Sequence, residues 1–79
     1  MYYVYIIKSI KDKSFYIGIT NNSKRRLQEH NSGKLKYTRN KKPWILWYLK
    51  GCIDAKEARK EELYFKKKNR DFKESLRNI

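Results

Sequence analysis

The sequence predicts a small α+β domain: a three-stranded, mostly antiparallel sheet, made of a hairpin plus one buried strand, flanked by two or three helices. Three observations predict it. Tyr2–Lys8 and Phe15–Thr20 alternate bulky or β-branched residues with others and are joined by the turn-forming Ser9–Ser14. Trp44–Leu49 is an unbroken apolar run bounded by Pro43 and Gly51. Two further stretches, opening at Asn21-Asn22 and at Asp54, take helical spacing behind a capping side chain, the first with a thin apolar stripe and the second with a fuller one.

In chain order, the hairpin comes first. Pairing Tyr5 with Tyr16 puts its centre between Ile10 and Lys11, with a loop of two or four residues, and sets two phenols side by side next to Gly18. A glycine there lets another group approach the backbone closely. The tyrosines are either ordinary strand aromatics, favoured by β-propensity, or part of a site. Ser23–Ser32 is predicted as the first helix, with Gly33 as its stop and Leu27 as its clear apolar anchor. Arg26 and His30 stand four residues apart, so they share one helix face beside the end of the second strand, a place where a phosphate could sit. Lys34–Pro43 is a cationic loop with one aromatic, Tyr37; such a loop either neutralises phosphates and stacks on a base or is simply solvated. Trp44–Leu49 is predicted to lie inside the sheet, its two tryptophans in the core.

Asp54 is placed to cap a helix over Ala55–Asn69, with Glu57 completing a capping box. At 100° per residue Ala55, Ala58, Glu62, Phe65 and Asn69 fall on one stripe, so Glu62 faces inward. A carboxylate on a packing face needs a partner, because an unpaired buried charge is costly. Arg26 or a lysine would serve, and so would a divalent cation. Asp71–Ile79 is predicted as a short C-terminal helix docked through Phe72 and Leu76.

The 79 residues suit one domain over positions 1–79 with one modest core. No run approaches the ~18 apolar residues of a membrane span, and no signal peptide is visible, which predicts a cytoplasmic protein with no membrane partner. Cys52 has no second cysteine, so it is assigned to the core or a strand end. The 21 Lys and Arg against 8 acids give a net +13 that attracts polyanions at long range. Nucleic acid is the natural partner. The alternatives are a merely soluble basic surface or one that meets ribosomes or anionic lipid. The cations run through the chain, which describes a charged face on a folded body that repels its own copies and stays monomeric.

Two tyrosines, an arginine, a histidine and an inward carboxylate in a strongly basic domain form a set that resembles the GIY-YIG nuclease superfamily. Within it, the chain is most similar to small stand-alone bacterial proteins akin to the N-terminal nuclease domain of the excinuclease C subunit, a DNA-repair enzyme. The first signature element corresponds to Tyr3-Val4-Tyr5, with Tyr3 where the family's name has glycine, and the second to Tyr16-Ile17-Gly18, with Arg26 ten residues after Tyr16. Gly33-Lys34, Lys36-Tyr37-Thr38-Arg39, Lys42-Pro43 and the Ala58, Glu62, Lys66 series also match, over about residues 2 to 70.

The resemblance implies a phosphodiesterase. Glu62 would be the single protein ligand of one Mg2+ or Mn2+ ion, and Arg26 would hold the scissile phosphate. Tyr5 would take a proton from the attacking water or orient it, with Tyr16 in support and a cationic neighbourhood lowering the phenol's pKa from ~10. His30 would relay protons or contact phosphate, or else be a surface or capping histidine. Lys24, Arg25, Lys34, Lys36, Tyr37, Thr38, Arg39 and Lys66 would contact nucleic acid. The leading expectation is a metal-dependent endonuclease on nucleic acid, DNA favoured, with a protein partner supplying any targeting. A non-catalytic nucleic-acid-binding module and a domain recruited by an acidic protein are the alternatives.

Overall fold

The computed structural model describes residues 1–79. Their order is β1 (Tyr2–Ser9), β2 (Phe15–Thr20), α1 (Ser23–Asn31), β3 (Trp44–Cys52), α2 (Ala55–Lys66) and α3 (Arg70–Ser75), with one 3-10 turn at Arg39–Lys41. The sheet is antiparallel throughout, in the order β2-β1-β3.

The central strand is therefore β1, whereas the apolar run of β3 had pointed to β3 as the inner one. Val4, Tyr5, Ile6 and Ile7 are all buried, so β1 is covered on both faces and hydrogen-bonded along both edges. The apolar length of β3 has another cause. Its Trp44 packs on one face of the sheet and its Trp47 on the other, and the C-terminal tail closes its outer edge. There the Asn78 side chain donates to Leu49 O at 3.0 Å and accepts from Leu49 N at 3.1 Å, while Asn78 N donates to Trp47 O at 3.1 Å. An edge strand blunted in this way needs no polar outer side.

The hairpin register also differs from the symmetric expectation. Tyr5 faces Gly18 and Ile7 faces Tyr16, a slide of two residues. The loop sets it: Ser9 Oγ accepts from Lys11 N at 3.1 Å and Asp12 N at 3.2 Å, Asp12 Oδ1 accepts from Ser14 N at 3.0 Å, and Lys13 takes a positive φ of 67°. These bonds make Ile10–Lys13 the four-residue loop. Because the slide is even, both phenols stay on one face as diagonal neighbours.

Each side of the sheet carries its own apolar cluster. Val4, Ile6, Ile17 and Trp47 meet Phe65 of α2, with Phe72 and Leu76 packed alongside. Tyr5, Ile7 and Trp44 lie on the opposite side with Tyr16, Leu27, Leu46 and Leu49. Asn22 caps α1 by accepting from Arg25 N at 3.0 Å, and Gly33 follows it at φ +81°. Asn31 holds the other end, accepting from Trp44 N at 2.6 Å and donating to Trp44 O at 2.9 Å.

Helix α2 begins as expected, with Asp54 Oδ1 accepting from Glu57 N at 2.9 Å, but the reciprocal half of the capping box is not made. It ends at Lys66, short of Asn69, because Asn69 is in extended conformation and caps α3 by accepting from Phe72 N at 2.9 Å. Asn69 is thus removed from the stripe, on which Ala58, Glu62 and Phe65 are buried as the periodicity required. Cys52 is buried at the end of β3.

Candidate functional site

The site is built where α1 crosses the Tyr5 side of the sheet. Alternation along β1 aims Tyr5 at that side, and the slid register lays its ring over Gly18, where an added Cβ would lie 2.5 Å from Tyr5 Oη and 2.7 Å from Cζ. The group that Gly18 admits is thus Tyr5 itself. Tyr16 stands diagonally across, the two ring centroids 6.4 Å apart.

The cap at Asn22 fixes the phase of α1 and so directs Arg26 and His30 toward these phenols. His30 is fully buried, Nε2 2.9 Å from Tyr5 Oη and Nδ1 2.7 Å from Thr38 Oγ1, and its ring lies 5.0 Å from that of Tyr16. It is neither a surface nor a capping histidine. Thr38, placed among the nucleic-acid contacts from sequence, is only 1% exposed and faces His30. The other polar residues of that set, Lys24, Arg25, Lys34, Lys36 and Arg39, are exposed, as is Tyr37. Lys66 is exposed too, but sits on α2 and pairs with Glu62.

Arg26 lies one turn before His30. Its Nη1 donates to Glu29 Oε1 at 2.9 Å, whereas its Nε is buried with no acceptor at all. Glu29 first and Tyr5 second hold the guanidinium above its ordinary pKa. A buried donor left unpaired costs roughly 1–3 kcal/mol, so an acceptor arriving from outside recovers that cost. A planar guanidinium so placed suits a phosphate oxygen. The surroundings favour the same guest: Lys11 to Lys42, which supply the hairpin loop, α1 and the following loop, carry ten Lys or Arg against two acids.

Burial pushes Tyr5 up to about 12, against the pull of the neighbouring Arg26. This reverses the expectation of a lowered phenol, because in this site the lost hydration outweighs the cation. Tyr5 is therefore a neutral O–H at physiological pH. Burial first, and Arg26 second, bring His30 down to about 4, so the imidazole is neutral with a single N–H. Two arrangements satisfy it. Either Tyr5 donates to Nε2 while Nδ1–H donates to Thr38, or Thr38 donates to Nδ1 while Nε2–H donates to Tyr5, which frees the phenol O–H to donate outward.

A measurable consequence follows for stability. The folded pKa of His30 lies below the unfolded value of about 6.5, so the stabilisation of the neutral ring is complete above pH ~6.5 and is lost as pH falls toward 4. The loss is on the order of 3 kcal/mol. Urea midpoints measured from pH 7.5 to 4 should fall in that window, and His30→Gln should flatten the fall. An unchanged slope in the variant would assign it to other groups.

Glu62 is only 6% exposed and is held by its own helix, at 2.9 Å from Arg59 Nη1 and 3.2 Å from Lys66 Nζ. It makes no hydrogen bond or ion pair with Arg26 or with either phenol. Phe65, one turn on, packs on the opposite side of the sheet from Tyr5. The carboxylate still lies near enough for its charge to raise the Tyr5 pKa, as the weakest influence upon it. No group of three or more His, Cys, Asp or Glu is gathered anywhere that could hold a metal. The donor set fits only a hard cation content with one carboxylate and completed by water and phosphate oxygens, as Mg2+ is. Arg59 and Lys66 are half or more exposed and free to swing aside for such an ion.

Two roles are not legible in the sequence. Glu29 steadies Arg26, a pairing signalled by its i, i+3 spacing. Thr38 orients His30, and nothing in a basic loop distinguishes one inward hydroxyl from its solvated neighbours.

Comparison with known proteins gives a consistent result. The family description "GIY-YIG catalytic domain" matches residues 1–75. A UPF0213 protein of Streptococcus pneumoniae is 45% identical over 75 residues, covering 94% of this chain and 75% of the relative. Another, from Clostridium perfringens, is 44% identical over 77 residues, covering 96% of this chain and 82% of its own length. The solution NMR structure of a UPF0213 protein from Bacillus halodurans superimposes with a TM-score of 0.59 at 40% identity, over 96% of this chain and 82% of that one.

Proposed function

The chain belongs to the GIY-YIG family, among its UPF0213 members, and on that premise we propose that it is a metal-dependent endonuclease hydrolysing phosphodiester bonds in nucleic acid, with DNA favoured. The family is generally nuclease-like and acts on nucleic acid. The observation that carries the reading for this chain is the buried, unpartnered Nε of Arg26 beside the Tyr5–His30 pair, in a stretch with ten Lys or Arg against two acids.

In this reading the Arg26 guanidinium donates Nε–H to an oxygen of the scissile phosphate and offsets the charge that grows there during attack, with Glu29 keeping the fork in place. Tyr5 works as a neutral phenol. With the proton of His30 on Nε2, the Tyr5 O–H donates to a phosphate oxygen or fixes the attacking water. With the imidazole proton on Nδ1, Nε2 accepts a hydrogen bond from the Tyr5 O–H, which stays on the phenol. The low pKa of His30 keeps that acceptor unprotonated at neutral pH, and Thr38 chooses between the two tautomers. Tyr16 packs beside both rings and confines the phenol. Glu62 would hold the Mg2+ or Mn2+ ion, which when bound supplies a water of lowered pKa and charge compensation on the phosphate.

One observation favours a non-catalytic nucleic-acid-binding module instead: Glu62 is already satisfied by Arg59 and Lys66. Incubation with supercoiled plasmid separates the two. The proposed enzyme nicks the plasmid in Mg2+ or Mn2+ and stops on addition of EDTA. Salt-sensitive binding with no cleavage, over several metals and both DNA and RNA, would establish the binding module in its place.

A further inference from the structure

Tyr37 is 85% exposed, the most exposed of the chain's large hydrophobic side chains, and neither an aromatic ring nor a cation covers its faces. Its neighbour in sequence is the reverse. Thr38 is 1% exposed, with its hydroxyl on His30, its carbonyl accepting from Trp44 Nε1 at 2.9 Å and from Lys41 N at 3.1 Å, and its N–H donating to Leu35 O at 3.2 Å. The turn is thus bolted to the core one residue from the ring, and Tyr37 is displayed from a preorganised backbone.

The ring's setting selects its guest. Lys34, Lys36 and Arg39 around it are exposed, and no Asp or Glu occurs from His30 through Ile53. A bare aromatic face in a purely cationic setting suits a flat π-system carried on a polyanion. Bases inside a regular duplex already stack on one another and offer only their edges, so the partner of an exposed ring is a base that has left its pair. The same turn touches His30, which holds Tyr5, so a base on Tyr37 brings its strand to the Arg26 side of the sheet.

We propose that Tyr37 is a stacking platform for an unpaired base, and that the substrate of this site is single-stranded nucleic acid, or a duplex opened at that point, in preference to an intact helix. The inference deepens the nucleic-acid reading above and rests on it, but does not require cleavage.

The test is equilibrium binding in EDTA, where no hydrolysis occurs, of a labelled DNA strand, the same strand annealed to its complement, and an RNA strand of the same sequence. Wild type should prefer a single strand, with the RNA arm showing which sugar is accepted. Tyr37→Ala should weaken single-strand binding about 5- to 100-fold, leave the duplex within about twofold, and leave the salt dependence of both unchanged, because a stacking contact is lost and no phosphate contact. Tyr37→Trp should restore the affinity. Equal losses on strand and duplex, no loss on any strand, or a wild-type preference for duplex would each overturn the inference. A protein that never cleaves but shows the Tyr37-dependent preference sinks the nuclease reading and keeps this one. A protein that cleaves, but whose Tyr37→Ala form binds and cuts a single strand as the wild type does, has the opposite outcome.

Discussion

Arg26→Ala should lower the single-turnover cleavage rate about 10³-fold while leaving the urea midpoint close to that of the wild type. The rate loss is the scale expected when a preorganised cationic donor to the transferring phosphoryl group is removed. The unchanged midpoint is the sharper half of the expectation. Nε of Arg26 is buried without an acceptor, so in the free protein it contributes a penalty, and the Nη1 contact with Glu29 is an i, i+3 pair on a partly exposed helix surface worth about 0.3–0.5 kcal/mol. Deleting the side chain removes both at once, together with its smaller interaction with the Tyr5 hydroxyl. Arg26→Lys should recover only part of the rate, because a lysine brings charge without the planar fork. If instead activity and stability fall together, Arg26 is a structural residue and the phosphate is held elsewhere.

Gly18→Ala should be as damaging for a different reason. The new methyl would sit 2.5 Å from Tyr5 Oη, 2.7 Å from Cζ and 2.9 Å from Cε1, and the ring has little room to retreat with Tyr16 and His30 on its flanks. Overpacking of this kind costs roughly 1–3 kcal/mol. The displaced phenol also loses its place against His30, and a misplacement of about 1 Å in a catalytic group costs on the order of 10²-fold in rate. Gly51→Ala is the natural control, since its Cβ would meet the flexible Met1 Sδ at 3.1 Å and the Tyr3 ring edge at 3.6 Å. Urea midpoints and single-turnover rates for the two variants check both effects, and a Gly18→Ala protein with wild-type activity would show that the position of Tyr5 is immaterial.

Much of this was legible in the chain because local chemistry dictates it. Asn22 and Asp54 announce their helices, the Ala58, Glu62, Phe65 spacing announces a buried carboxylate, and the four-residue interval from Arg26 to His30 puts both on one helix face, which the structure turns toward Tyr5. What local chemistry does not encode is which long-range neighbour covers a surface. An apolar run reads alike for a central strand and for an edge strand sealed by a distant Asn78, so the run alone does not distinguish the two positions. The hairpin register turned on Ser9 and Asp12 side chains accepting backbone bonds, which outweigh the symmetry of the flanking strands. The Tyr5 pKa went the opposite way to expectation because the charge of a basic domain is countable from sequence, whereas the hydration lost beneath α1 is known only once the helix is laid down. Thr38 turned inward for the same reason: its role exists only because His30 is there to meet it.

The account stands on Arg26 and Glu62 serving one phosphate from different elements of the fold. Crystals grown with Mn2+ and an unpaired oligonucleotide carrying phosphorothioate linkages test this most directly. The prediction is Mn2+ on the Glu62 carboxylate, Arg59 and Lys66 swung away from it, and a phosphate oxygen shared between the ion and Arg26. Glu62 still paired with Arg59 and Lys66, free of metal and with the strand bound away from Arg26, would contradict it.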